Sequence, residues 1–366
     1  GIKTSHWIGG GLTCSIFGTL KDWEMQHCIG RQRQNEAWLK AAGCEYHYLD
    51  ELITDEVRAQ AEAYWEGLDK SAAGLLAAEY AGISLWQASF GAVCRKLKRH
   101  VHEDEITEPE VFQVVEDYYK AGVAAAEISE PLFRRAKPDV ILLYNGYFLL
   151  ERIIGEMARR RNIRVVAHEN SAMKDLKLFC ATGTVGNRHE MSSLATLNVI
   201  EGNVLSEEQR ARVYERVEAI CKGTVNTIRQ REAEKTDLRA QLGIPAERKI
   251  ALLIGQVPFD TVMLYDAPMF PSMAKFLEEV IEIFAGMPEW QLVVRLHPFE
   301  EEVGGDSTYK YFSTRQLPGN TTLVHGREIN TYDLMRICDM GIVSTSQAGL
   351  EMAALHKAVV VVGKAF

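Results

Sequence analysis

Lys249-Ile250-Ala251-Leu252-Leu253-Ile254-Gly255 is a short apolar run that ends on glycine. Gln291 to Leu296 (QLVVRL), Thr322 to His325, Met340 to Val343 (MGIV) and Ala358 to Gly363 repeat the pattern downstream. Runs of this length, dense in Val, Ile and Leu, are strands covered on both faces. Ser272 to Ala285, Thr331 to Arg336 and Gln347 to Leu355 lie between them and carry helical periodicity. Strand and helix therefore alternate with short connections, which predicts right-handed crossovers and a doubly wound parallel sheet.

Upstream, Pro138 to Tyr144 is a fully apolar strand closed by Asn145-Gly146, and a helix from Phe148 to Arg161 leads to a strand at Ile163 to Ala167. That βαβ unit predicts a second α/β domain. Arg31 to Ala42 reads as a helix and Cys44 to Leu49 as a strand. The long Ala-, Glu- and Leu-rich stretch at about 51–136 exceeds one crossover, so it reads as several inserted helices. Residues 1–205 are then an N-terminal α/β domain, 206–245 linker helices and 246–366 a C-terminal domain. Ala358 to Gly363 reads as a strand with nothing after it, so the natural chain is expected to continue beyond Phe366.

A chain of 366 residues exceeds what one core usually fills, which agrees with two domains. Its net charge of −9 argues against a general nucleic-acid role, because phosphate-backbone binding needs clustered Lys and Arg. The basic runs at Arg95 to Arg99 and Arg159 to Arg161 fall in helical pattern and read as solvated faces. Seven scattered cysteines, none in a CxxC pair, suit thiols in a reducing, cytoplasmic compartment. No apolar stretch reaches the ~20 residues that span a bilayer.

In an open parallel sheet, ligands bind beyond the carboxyl ends of the strands. That rule selects Gln256 and Asp260 after the first C-terminal strand, Arg295 and His297 after the second, and His325 after the third. Ser344, Thr345 and Ser346 follow the fourth, with Gly349 and Glu351 in the helix they open. Serines at a helix start suit a phosphate through hydroxyls, backbone N–H groups and the dipole. A plain N-cap is the alternative. Gly349 allows close approach of a ligand or of neighbouring backbone, and Glu351 suits ribose hydroxyls. Arg295 and His297 would stabilise a leaving phosphate. In the N-terminal half, Asn145, Gly146, His168 and Glu169 end successive strands, and Glu169 is a candidate acid or base. Its alternative is a capping carboxylate. Gly9-Gly10-Gly11 could form an anion nest. No histidine or carboxylate pair has ligand spacing with a third group nearby, so neither a metal nor another cofactor is expected.

In order, Asn145-Gly146 with His168-Glu169, Gln256-Val257-Pro258-Phe259-Asp260, Arg295-Leu296-His297-Pro298 and Ser344 to Ala353 resemble bacterial capsule polysaccharide biosynthesis proteins of the Kdo-transferase-like family. The resemblance covers roughly 138–366. It implies a GT-B-like architecture, two Rossmann-type domains facing a cleft, and retaining transfer of Kdo from CMP-Kdo. It further implies Asp260 as nucleophile, Glu169 as acid/base and His297 as phosphate contact. A glycan or glycolipid acceptor is implied as partner, with peripheral association to the inner membrane or a polysaccharide assembly complex. Two other readings stand beside it: a sugar-nucleotide epimerase or hydrolase of the same fold, and a non-catalytic nucleotide- or glycan-binding subunit.

Overall fold

The computed structural model describes residues 6–8, 22–170, 177–180, 205–222, 237–266, 269–299, 307–326 and 328–363. Gly9 to Gly11 lie outside them. The chain is α/β and divides into two compact units. One gathers residues 1–97, 101–170 and 177–185; the other gathers 98–100, 171–176 and 186–366.

The first unit holds β1 (His6–Ile8), α1 (Asp22–Ala41) and β2 (Tyr46–Tyr48), then α2 (Asp55–Gly67), α3 (Ala72–Leu76) and the hairpin β3 (Glu79–Tyr80) and β4 (Ile83–Ser84). After α4 (Leu85–Leu97) and α5 (Pro109–Ala136) come β5 (Val140–Tyr144), α6 (Leu149–Arg160), β6 (Arg164–Asn170) and β7 (Lys177–Cys180). β1 and β2 pair in parallel, as do β5 and β6, while β7 runs antiparallel to β6. The 28-residue α5 is the unit's axle: Val111, Val115, Tyr119 and Ile128 on it are fully buried. It starts with Pro109 at its first turn and ends on Lys137 in the left-handed region at φ 45°.

β5 departs from the two-face reading. Ile141 and Leu143 pack with Ile154 and Ala158 of α6, but Val140, Leu142 and Tyr144 are 49%, 58% and 41% exposed. Among the described residues, helices cover one face of this sheet, so alternate side chains of an all-apolar strand face outward. The run of apolar residues signalled a strand without signalling how many faces were covered.

The second unit begins with α7 (Glu207–Lys222) and α8 (Leu238–Gln241), followed by β8 (Lys249–Ile254), α9 (Thr261–Asp266), α10 (Met273–Ala285) and β9 (Trp290–Arg295). Then come α11 (Thr308–Ser313), β10 (Thr321–Val324), α12 (Thr331–Ile337), β11 (Met340–Val343), α13 (Ala348–Ala354) and β12 (Ala358–Val361). Its five strands are all parallel, in the order β10-β9-β8-β11-β12. Because side chains alternate along a strand, β8 feeds two cores at once. Ile250, Leu252 and Ile254 meet Tyr332 and Met335 of α12 and Met352 of α13; Ala251 and Leu253 meet Phe276 and Leu277 of α10. Ile220, Leu238 and Ile244, in the stretch read as a linker, join the first of these cores. At roughly 1.5–3 kcal/mol per buried aliphatic or aromatic side chain, the two faces hold the sheet rigid. Cys94 and Cys338 are buried thiols used as small core residues. No described helix is long and apolar enough to cross a membrane.

Candidate functional site

Chain order β8, β9, β10 moves to one side of the second sheet, and β11 and β12 lie on the other side of β8. The switch point therefore falls between β8 and β11, where open α/β sheets leave their ligand crevice. Gln256 follows β8 and Thr345 follows β11. The Thr345 backbone N–H donates to Gln256 Oε1 at 2.9 Å, and the Thr345 hydroxyl reaches the same oxygen at 3.0 Å.

One strand over, Arg295 ends β9 at 3% exposure. Its Nη2 donates to Gly326 O at 2.8 Å, and its Nε has no hydrogen-bond partner among the described residues. Burial pulls the guanidinium down to about 10, so it remains a cation at neutral pH. His297, two residues on, is pushed down to about 4 by burial and then by the Arg295 charge. The Phe299 backbone N–H donates to His297 Nδ1 at 3.2 Å, so the neutral ring carries its hydrogen on Nε2. Gly326 permits this arrangement: a Cβ there would lie 2.4 Å from Pro298 N and 2.5 Å from Leu296 O.

The remaining candidates divide by role. His325, 6% exposed, packs edge-on against Tyr309 at 4.9 Å, and its backbone N–H donates to Glu328 Oε2 at 3.0 Å. Ser344 is 1% exposed at the same edge. Ser346 Oγ accepts from Ala348 N at 3.3 Å, a local turn just before the helix, whose N-cap is Gln347 without a side-chain cap. A Cβ on Gly349 would fall 2.9 Å from Val343 Cγ2, with Val359 and Val361 next, so this glycine sets the distance of α13 from the sheet. Glu351 on α13 accepts from the Tyr332 hydroxyl at 3.1 Å; burial raises its carboxyl against the opposing pull of Tyr332 and Arg216. Asp260 precedes α9, and its Oδ1 accepts from Val262 N at 3.2 Å.

In the first unit, β6 continues through Asn170, so His168 and Glu169 sit within the strand opposite β7 and not beyond its end. Tyr144 donates to Glu169 Oε1 at 2.9 Å and Asn145 Nδ2 donates to Oε2 at 3.2 Å. Asn145 Oδ1 in turn accepts from Tyr147 N at 3.1 Å, across the Asn145-Gly146 turn with φ 25° and 82°. Tyr144 meets the His168 ring edge-on at 5.6 Å. Burial, then Glu169, pushes the Tyr144 phenol up to about 12. Gly146 also borders a cavity of about 340 Å³ on the α6 side, together with Ser84, Gln87, Glu151, Arg152 and Ala167.

Tyr144 and Tyr332 were not foreseen as partners of Glu169 and Glu351. Tyr144 could have been found, because it directly precedes Asn145 and its strand neighbour in the β5–β6 register is His168. The Tyr332 contact joins two helices by tertiary packing alone and leaves no spacing to read.

A family model described as capsule polysaccharide biosynthesis protein matches residues 194–366. No curated protein matches. Among solved structures, the β-Kdo 2,4 transferase of Thermosulfurimonas dismutans KpsC is 17% identical with a TM-score of 0.45, covering 61% of this chain and 68% of that one. The β-Kdo 2,7 transferase of the same protein gives 15%, 0.41, 65% and 70%. The Neisseria meningitidis UDP-GlcNAc 2-epimerase bound to UDP-GlcNAc gives 11%, 0.30, 75% and 79%. At these values the structural likenesses bear on neither activity nor substrate. What carries is the family match: the stretch of this chain similar to capsule polysaccharide biosynthesis proteins, residues 194–366, includes the whole five-stranded sheet and its polar edge.

Proposed function

We propose that the chain is a glycosyltransferase of capsule-type surface polysaccharide synthesis, whose second unit binds a nucleotide-activated sugar at the strand-end edge. The observation that supports this most is Arg295. A guanidinium removed from water without a carboxylate partner among the described residues is expensive to keep, and an anionic ligand would supply the missing counter-charge. The neutral His297 beside it offers one N–H donor at Nε2, suited to a phosphate oxygen that gains charge as it leaves.

The chemistry we propose is retaining transfer of Kdo from CMP-Kdo, on the resemblance to the Kdo-transferase-like family. An Asp260 oxygen forms a bond to the anomeric carbon as the CMP phosphate oxygen departs with its electron pair, received by Arg295 and His297. An acceptor hydroxyl then displaces Asp260 and gives its proton to Glu169. Two carboxylates in these roles are what double displacement requires. Glu351 would hold ribose hydroxyls, and Asn145, Gly146 and His168 would serve the glycan or glycolipid acceptor. The reaction would take place on the cytoplasmic side, at the membrane or in an assembly complex.

The test is incubation with CMP-Kdo and a panel of UDP-sugars, with and without acceptor glycans, following CMP or UDP release. Acceptor-dependent release supports the proposal. Acceptor-independent turnover would make the protein an epimerase or hydrolase, and binding without turnover would make it a binding subunit.

A further inference from the structure

The geometry points to Thr345 as a positioning residue that locks the Gln256 amide so that it offers only hydrogen-bond donors to the ligand. This rests on the reading of the second unit as a nucleotide-sugar site and specifies one contact within it.

A glutamine amide is ambiguous because its oxygen and nitrogen ends look alike, and the surrounding hydrogen bonds decide which is which. Here the decision is forced. A backbone N–H can only donate, so the atom 2.9 Å from Thr345 N must be the Gln256 oxygen. The Thr345 hydroxyl, 3.0 Å from that oxygen, then commits its single hydrogen to it as well. Two donors on one acceptor hold the amide plane, and Gln256 is 8% exposed, with little room to turn. The opposite end, Nε2, has no partner among the described residues and is not one of the fully buried unpartnered atoms, so it is the end that meets solvent.

Gln256 and Thr345 follow β8 and β11, the strands that flank the switch point, so this NH₂ group stands at the crevice. It can satisfy an oxygen that carries no hydrogen. A sugar hydroxyl would gain less, because its own hydrogen finds no acceptor on Nε2. The ligand group is therefore an oxygen without a hydrogen, and beside the Arg295 cation we take it to be anionic, either the nucleotide phosphate or a carboxylate on the transferred sugar. A base carbonyl in its place would show as a loss of cytidine affinity in Gln256→Glu and would overturn the inference. Thr345 itself does not donate to the ligand in this arrangement: both of its donors already serve Gln256.

The experiment is calorimetric titration of CMP, cytidine and CMP-Kdo into wild type, Gln256→Glu, Thr345→Val and Thr345→Ser, with melting temperatures recorded for each. Gln256→Glu keeps the shape but turns an acceptor towards the ligand. It should weaken CMP at least thirtyfold and leave cytidine within twofold if the phosphate is the partner. If the sugar carboxylate is the partner, CMP should hold and CMP-Kdo should weaken by that factor. Thr345→Val should weaken the same ligand about fivefold with bound cytidine unaffected, and Thr345→Ser should restore it. Gln256→Glu with both ligands at wild-type affinity, or Thr345→Ser no better than Thr345→Val, would overturn the inference. Wild type that binds no nucleotide at all would overturn the functional reading on which it rests, a separate outcome.

Discussion

The guanidinium of Arg295 and the imidazole of His297, two residues apart at the end of one strand, form a cation beside a neutral donor. Burial draws the first down to about 10 and leaves it charged; burial and that charge draw the second to about 4 and leave it uncharged. In the proposed site this edge would attract an anion through Arg295 and hydrogen-bond it through His297 Nε2, with no proton exchange near neutral pH.

The first prediction concerns acid stability. His297 lies at about 4 in the fold against an ordinary value of 6.5, so between those limits the unfolded chain takes up a proton that the folded chain refuses. Its contribution is fully present above about pH 6.5 and is lost as pH falls towards 4, at about 1.4 kcal/mol per unit of difference. Denaturant unfolding followed from pH 7 to 4 should show a shallower loss in His297→Gln than in wild type. Parallel slopes would remove the depressed histidine from the account.

Arg295→Met separates stability from function. It removes a buried cation while keeping most of the side-chain volume, so the ligand-free protein should gain roughly 1 kcal/mol or more. CMP affinity should fall at least a hundredfold. Paired melting and calorimetric curves check both, and a variant that loses stability yet binds CMP normally would assign Arg295 a structural role.

Gly326→Ala is expected to lower stability by about 2 kcal/mol or more, because its Cβ would press on Pro298 N, Leu296 O and the His297 carbonyl carbon, all backbone atoms that cannot swing aside. Chemical denaturation reads this directly.

Tyr144→Phe deletes the donor to Glu169 Oε1. Since the phenol sits at about 12, it remains protonated through any working pH. Turnover in the transfer assay should drop about tenfold, the loss of one hydrogen bond to a charged group, while CMP affinity in the second unit stays unchanged.

Much of the second unit was legible because its strands are continuous apolar runs; Met340 to Val343 was bounded to the residue, and the others to within one or two. The strand-end rule then placed Gln256, Arg295, His297, Ser344 and Thr345 on one edge without any knowledge of contacts. Roles within that edge were harder to read. Whether a serine closes a local turn, as Ser346 does, or a glycine serves packing, as Gly349 does, depends on a few tenths of an ångström between neighbouring elements. The two short helices at Thr261–Asp266 and Thr308–Ser313 escaped because six residues give too little periodicity to detect. In the first unit, the exposed face of β5 was invisible for a different reason: an apolar strand reads the same whether one face or two are covered.

The most direct measurement is a crystal structure of the protein with CMP. The account predicts the phosphate beside the Arg295 guanidinium and within hydrogen-bond reach of His297 Nε2, at the ends of β9 and its neighbours. A nucleotide bound elsewhere, with the Arg295 guanidinium still facing only the Gly326 carbonyl, would contradict it.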